Sequence, residues 1–190
     1  MKKRIIIISL IILVLLFSFT MYQFIKFKNY KDSLSSLEKY IFVDNEIIIK
    51  KLEYNNKNYV ISRYYDNSSS WSHLNLLLKD NDNYYILKNI KKCDTPDEGS
   101  NLYVKDNIIY IHCIGKKGVI DKYLINEFSI YKESINFDFK DTPNISQLHI
   151  GIDNVDDEYI YLFSPFKVDN RLKDNPNVKC SFNNKKCIYN

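Results

Sequence analysis

The chain has 190 residues, 27 basic and 23 acidic, for a net charge of +4, and three of the basic residues, Lys2, Lys3 and Arg4, precede a long apolar run. Beyond that run the balance is nearly neutral, 24 basic against 23 acidic, with lysines and aspartates interspersed and only three arginines in the whole chain. This excludes the clustered basic face by which proteins track nucleic acid, and 16 Tyr and 11 Phe with no Ala disfavour a helical bundle.

Residues 5–25, IIIISLIILVLLFSFTMYQFI, are uncharged, with only Ser9, Ser18, Thr20 and Gln23 as polar interruptions. As a helix this run covers roughly 30 Å, the thickness of a bilayer's hydrocarbon core. It is longer than the apolar region of a secretory signal and lacks an Ala-x-Ala cleavage pattern, so the expectation is an uncleaved transmembrane anchor with the lipid bilayer as its partner. Lys2, Lys3 and Arg4 on one flank face Lys26, Lys28 and Lys31 on the other. The balance slightly favours residues 1–4 in the cytoplasm. Phe27, Tyr30, Leu34, Leu37 and Ile41 follow at spacings of 3, 4, 3 and 4, which predicts a juxtamembrane amphipathic helix over 26–43. Its stripe suits packing on its own domain, or weak self-association through residues 27–41.

From residue 44 to 190 the period changes to that of strands. Extended segments are predicted near 47–54, 58–65, 72–78, 84–90, 102–105, 108–114, 119–125, 128–131, 135–139, 148–152, 159–163, 178–182 and 186–189. Leu74, Leu76 and Leu78 share one face of their segment, as do Ile135, Phe137 and Phe139. Tyr159, Tyr161 and Phe163 oppose Ile160 and Leu162. Ile108-Ile109-Tyr110-Ile111 is apolar on both sides, as expected of a strand covered on both faces. Asn and Asp supply the turns at 55–58, 80–83, 105–107 and 153–158, since both tolerate left-handed backbone. Short loops between successive strands make antiparallel hairpins. The predicted fold class is an all-β domain, an antiparallel meander folded as a sandwich or partly closed barrel. A small β-propeller ranks second, because no signature repeats from blade to blade.

All four cysteines lie beyond the apolar run. In VKCSFNNKKCIYN a two-residue turn at Asn183-Asn184 sets Phe182 against Lys185, Ser181 against Lys186 and Cys180 against Cys187, within bridging distance. Cys93–Cys113 follows by elimination. The spacings do not suit zinc. Two disulfides imply an oxidising compartment, so residues 26–190 are expected outside the cytoplasm, on a single-pass cell-membrane protein.

The search for chemistry finds no catalytic constellation, and no cofactor or metal is expected. His112 and Cys113 are consecutive on a strand and point to opposite faces, which argues against a Cys–His dyad. His73 and His149 sit among sheet-forming residues. The acidic run Asp153 to Glu158 lacks the glycine and spacing of a calcium loop and reads as a solvated turn. Tyr64, Tyr65 and Trp71 surround a small polar loop and are the candidate partner-binding residues. Core packing of Trp71 beside the Leu74–Leu78 strand is the competing reading.

The functional expectation is a membrane-anchored, extracytoplasmic protein-binding domain rather than an enzyme. An immunity-type protein neutralising an incoming toxin is one concrete form, by analogy of build alone. The alternatives are a cell-envelope carbohydrate-acting enzyme and a structural subunit of a membrane complex. Protein recovered from its native membrane without reductant should titrate with no free thiol. Four free thiols would refute both the pairing and the compartment.

Overall fold

The apolar run folds as part of one helix, α1 (Lys2–Ser35), about 50 Å long at 1.5 Å per residue. In the computed structural model, which describes residues 2–65, 72–93, 101–142, 147, 149–164 and 177–189, α1 belongs to a unit Met1–Glu38, separate from a second unit, Lys39–Asn190. Its segment Ser9–Ser35 is long and apolar enough to cross a membrane, and Leu10 through Phe27 present large apolar side chains to the outside. The last turn tightens, with Ser36 N donating to Ser33 O and Leu37 N to Leu34 O. The Ser35 hydroxyl donates to the carbonyl of Asp32, and the Ser36 hydroxyl adds a second donor to the carbonyl of Ser33, near the end of the helix where backbone partners run out.

This differs from the expected separate helix over 26–43. The predicted stripe is helical only as far as Leu34, because the serines at 35 and 36 end α1. The chain then enters the β domain as a short strand, β1 (Lys39–Tyr40).

Among the described residues, the strands of the β domain pair antiparallel in three sheets, with one isolated parallel bridge between Asp138 and Lys186. The first holds β1, β2 (Ile47–Tyr54), β3 (Lys57–Tyr65), β4 (Ser72–Asp80) and β5 (Asn83–Ile90), in the order β1-β5-β4-β3-β2. The second runs in chain order through β6 (Leu102–Lys105), β7 (Ile108–Ile111), β8 (Val119–Asn126) and β9 (Ser129–Asn136). The third does the same with β10 (Gly151–Val155), β11 (Tyr159–Phe163), β12 (Asn177–Ser181) and β13 (Cys187–Tyr189). The predicted meander is thus present as three successive four-stranded meanders, the connectivity of propeller blades, with β1 added to the first. The segments predicted at 128–131 and 135–139 merge. Their first part is the single strand β9, which pairs along its length with β8, and the chain then leads through Phe137 and Phe139 toward the third sheet.

Asparagine and aspartate make the tight turns as expected: Asn55, Asn56, Asn81 and Asp106 all have positive φ. Glu127, between β8 and β9, takes the same conformation without the local hydrogen-bonding advantage of Asn. Gly151 faces Phe163 across the β10–β11 pair, and a Cβ there would lie 2.2 Å from the ring.

The middle of the second sheet, in β7 and β8, is covered on both faces. Tyr110, Ile120 and Ile135 join Ile152, Val155, Ile160, Leu162, Val178 and the Cys180–Cys187 pair in one core with the third sheet. The alternate residues Ile109, Ile111, Tyr123 and Ile125 are buried on the other side. There the Tyr59 hydroxyl of the first sheet donates to Glu127 O at 3.1 Å, and Lys57 lies over the Phe128 ring. Burial pushes the Tyr59 phenol up to about 12. The Cys93–Cys113 disulfide joins the end of β5 to the end of β7, with Cα atoms 4.5 Å apart. The Cys180–Cys187 disulfide bridges directly opposed residues of β12 and β13. Both predicted pairings are therefore formed, but the hairpin turn differs. Its left-handed residue is Lys185 rather than either asparagine. Asn184 instead accepts from Lys186 N, and Ser181 Oγ accepts from Asn183 N.

Among the described residues of the β domain, Arg63 and Asp121 are buried charged side chains. Asp121, 1% exposed, accepts hydrogen bonds from Lys116 at 2.8 Å, Lys132 at 3.0 Å and Ser134 at 2.6 Å. Burial pushes its carboxyl up, but the bonds from Lys116, Ser134 and Lys132 outweigh it and hold the group below the usual carboxylate range. The resulting stability is fully present above the ordinary aspartate value near 4 and is lost as pH falls through the lower folded value. Asp121→Asn should destabilise the neutral-pH protein by about 2 kcal/mol, since both lysines are partly solvated. In guanidinium titrations it should also flatten the acid-side loss of stability below roughly pH 4. Equal slopes for the two proteins would refute the assignment.

Candidate functional site

Two groups of side chains stand out from the apolar packing: a polar row on the first sheet and a cleft between the second and third sheets. The polar row arises from strand register. Ser62 of β3, Asn75 of β4 and Asn89 of β5 are directly opposed across three strands. The next row holds Tyr64 opposite His73, and successive alternate residues put all five side chains on one face. Two β-bulges make this possible. One falls between Leu76 and Leu77, where β5 carries Leu87 as an extra residue. The other lies between Ile48 and Lys50 of β2. Each extra residue reverses the facing of the residues on one side of it relative to those on the other, and so turns Asn89, after Leu87, and Glu46, before Ile49, onto the polar side.

Glu46 is the hub. One of its oxygens, Oε2, accepts from the Tyr40 hydroxyl at 2.8 Å and from Val43 N at 3.1 Å. The other, Oε1, accepts from Ser62 Oγ and from Asn75 Nδ2, the latter at 3.1 Å. Asn75 also donates to the Tyr40 oxygen at 2.6 Å, and Asn89 donates to Asn75 Oδ1 at 2.7 Å and to the Tyr64 oxygen at 3.3 Å. Tyr64 stacks on His73, with ring centroids 5.1 Å apart. Burial, then the hydrogen bond to Glu46, pushes the Tyr40 phenol well above its ordinary value. Lys92 N donates to His73 Nδ1 at 3.4 Å, which leaves the proton of a neutral imidazole on Nε2.

The cleft, of about 340 Å³, has a floor of Tyr110, Ile135 and Phe182 and a rim of Lys105, Lys122, Glu133, Asp156, Asp157 and Lys185. Its charges are largely paired: Lys105 reaches Asp157 at 2.7 Å and Lys122 reaches Glu133 at 3.6 Å. Asp156 accepts from the backbone N–H groups of Glu158 and Tyr159 and from the Tyr161 hydroxyl. Those backbone bonds hold its carboxyl below the usual range, the opposite of what a general acid requires. The solvated turn expected over 153–158 is confined to 156–158, where the Asp156 side chain caps the backbone, while 153–155 belong to β10. The floor continues outward along one cross-strand row, Ile108–Leu124–Tyr131. Leu124 is exposed there and Tyr131 is 61% exposed.

Of the predicted partner-binding residues, Tyr64 and Tyr65 are consecutive in β3 and face opposite sides of it. Tyr64 is half-buried in the polar row, Tyr65 is exposed with Arg63 beside its ring, and Trp71 lies outside the described residues. His112 is buried, with Nδ1 2.9 Å from Val119 O, and Cys113 is in a disulfide. Sequence reasoning missed Glu46, Ser62, Asn75 and Asn89. The available signal was Asn75, a polar residue inside the apolar strand 72–78 at a position that the structure buries completely. It also missed Leu124 and Tyr131, whose exposure depends on where the third sheet stops covering the second.

No protein-family model, characterised protein or solved structure matches this chain significantly.

Removing the hub leaves buried donors without an acceptor. Glu46→Ala should cost about 2–3 kcal/mol in chemical denaturation. Glu46→Gln, which keeps the Oε1 acceptor, should cost no more than about half of that. Equal losses would show that the acceptor geometry is not what matters.

Proposed function

We propose that the protein is a single-pass membrane protein, N-terminus inside, presenting its β domain outside the cytoplasm to bind another protein. The observation that carries this reading is the composition of the cleft and its outward continuation. Apolar and aromatic side chains, Ile108, Tyr110, Leu124, Tyr131 and Phe182, are bordered by charges of both signs that already satisfy one another. Protein interfaces concentrate their energy in such aromatic and aliphatic anchors, with the polar rim giving register and partner choice. An envelope hydrolase would use a carboxylate kept protonated near neutral pH, whereas Asp156 is held low and Asp157 and Glu133 are paired to lysines. The apolar helix and the two disulfides support the location. Neutralisation of an incoming toxin is one form this binding takes in the proposal.

A photoreactive residue placed at Leu124 in the full-length protein tests the surface directly. In native membranes it should give a discrete polypeptide adduct that is absent when the probe is at Asp82, in the β4–β5 turn. Tyr131→Ala should reduce the yield several-fold without altering thermal unfolding. Equal labelling from both sites, or none from Leu124, would overturn the proposal.

A further inference from the structure

The stretch between α1 and the body of the first sheet carries an exposed apolar cluster. Ile41 is 80% exposed, and Val43, Ile47 and Ile48 are exposed as well. Four branched aliphatic side chains in eight residues are costly to hold in water. Ile47 and Ile48 are consecutive and flank opposite sides of β2, yet both remain uncovered because β2 is the outermost described strand on its side of the sheet.

Within residues 39–51 the exposed charges are Lys39, Lys50 and Lys51 against Asp44, with Glu38 and Glu53 exposed at the two ends of the stretch. The other acidic residue of the stretch, Glu46, is turned inward and satisfied by Ser62, Asn75, Tyr40 and Val43 N. The bulge in β2 that aims Glu46 at the polar row therefore also removes its charge from this surface. Covalent distance sets the remaining constraint. Ile41 follows the end of α1 at Ser35 by six residues, which reach about 20 Å at full extension.

We infer that residues 39–51 form a membrane-docking surface, with Ile41, Val43, Ile47 and Ile48 entering the headgroup region of an anionic bilayer and Lys39, Lys50 and Lys51 meeting its phosphates. The inference rests on the proposed spanning of the membrane by α1. Apolar side chains with neighbouring lysines are the pattern of segments that lie in a membrane interface, where burial and attraction to anionic lipid add. A domain held at the surface by this second contact is restricted in orientation as well as tethered.

All four native cysteines are in disulfides, so a single introduced cysteine gives one labelling site. Full-length protein spin-labelled at Ile41→Cys or Ile48→Cys is reconstituted in nanodiscs of mixed phosphatidylcholine and phosphatidylglycerol. Collisions with oxygen, which partitions into lipid, are compared with collisions with a water-soluble nickel chelate. The oxygen-to-nickel ratio at both sites should exceed that at Tyr131→Cys several-fold, and Lys50→Glu with Lys51→Glu should lower it. Ratios equal to the Tyr131 value would overturn the inference. A label at Leu13→Cys separates the two proposals. A lipid signature at 13 with aqueous signatures at 41 and 48 overturns only the docking surface, whereas an aqueous signature at 13 overturns the anchor and the docking surface together.

Discussion

Burial of the middle of the second sheet on both faces is the constraint on which the rest of the β domain depends. Ile109, Tyr110, Ile111, Ile120, Tyr123 and Ile125 bury both faces of the middle of β7 and β8, so that part requires a sheet on each flank. The third sheet meets Tyr110, Ile120 and Ile135 in a shared core. The opposite side, where Tyr59 reaches Glu127 and Cys93 is bonded to Cys113, is buried as well. With the conformational cost of ordering a chain of this size at around a kilocalorie per residue or more, a middle layer that buries apolar area twice is an effective way to offset it. The cleft is a consequence of the same arrangement. It opens where the third sheet ceases to cover β7, β8 and β9, and it leaves the row Ile108–Leu124–Tyr131 on the outside.

The polar groups within this framework are organised by acceptor supply. Asp121 is buried but receives three side-chain donors, and Glu46 is half-buried and receives four donors in all. A carboxylate so satisfied positions its neighbours and is poorly suited to exchanging protons with a substrate. This is compatible with the binding role proposed above, which rests on the cleft. The same satisfaction of Glu46 turns its charge away from the surface of residues 39–51, so one side chain links an internal network to the surface chemistry of that stretch.

Much of the fold was legible in the sequence because strand periodicity and turn chemistry are local. The Asn55-Asn56 and Lys105-Asp106-Asn107 turns mark their hairpins, and alternation in Ile135, Phe137 and Phe139 marks a buried face. The Cys180–Cys187 pairing was legible from register even though the turn places its left-handed residue at Lys185. A shift in turn type that preserves the count between the strands leaves the opposed pair unchanged. The candidate site was far less legible. Bulges at Ile49 and Leu87 reverse the facing of Glu46 and Asn89, and nothing in the local pattern distinguishes an extra residue from ordinary alternation. Tyr64, a candidate partner-binding residue, is half-buried and also contacts His73 and Asn89.

The sequence by itself determined an apolar helix long enough to cross a membrane, an all-β domain behind it, and cysteines spaced to pair in two bridges. Each of these depends on composition, period or separation along the chain. Only the tertiary structure decided that the strands divide into three sheets, that α1 yields to β1 after Ser35, and that Leu124 and Tyr131 rather than Tyr64 stand at the edge of a cleft. Those outcomes depend on which face of one sheet another sheet covers. That is a competition among distant apolar surfaces, and no short window of residues encodes it.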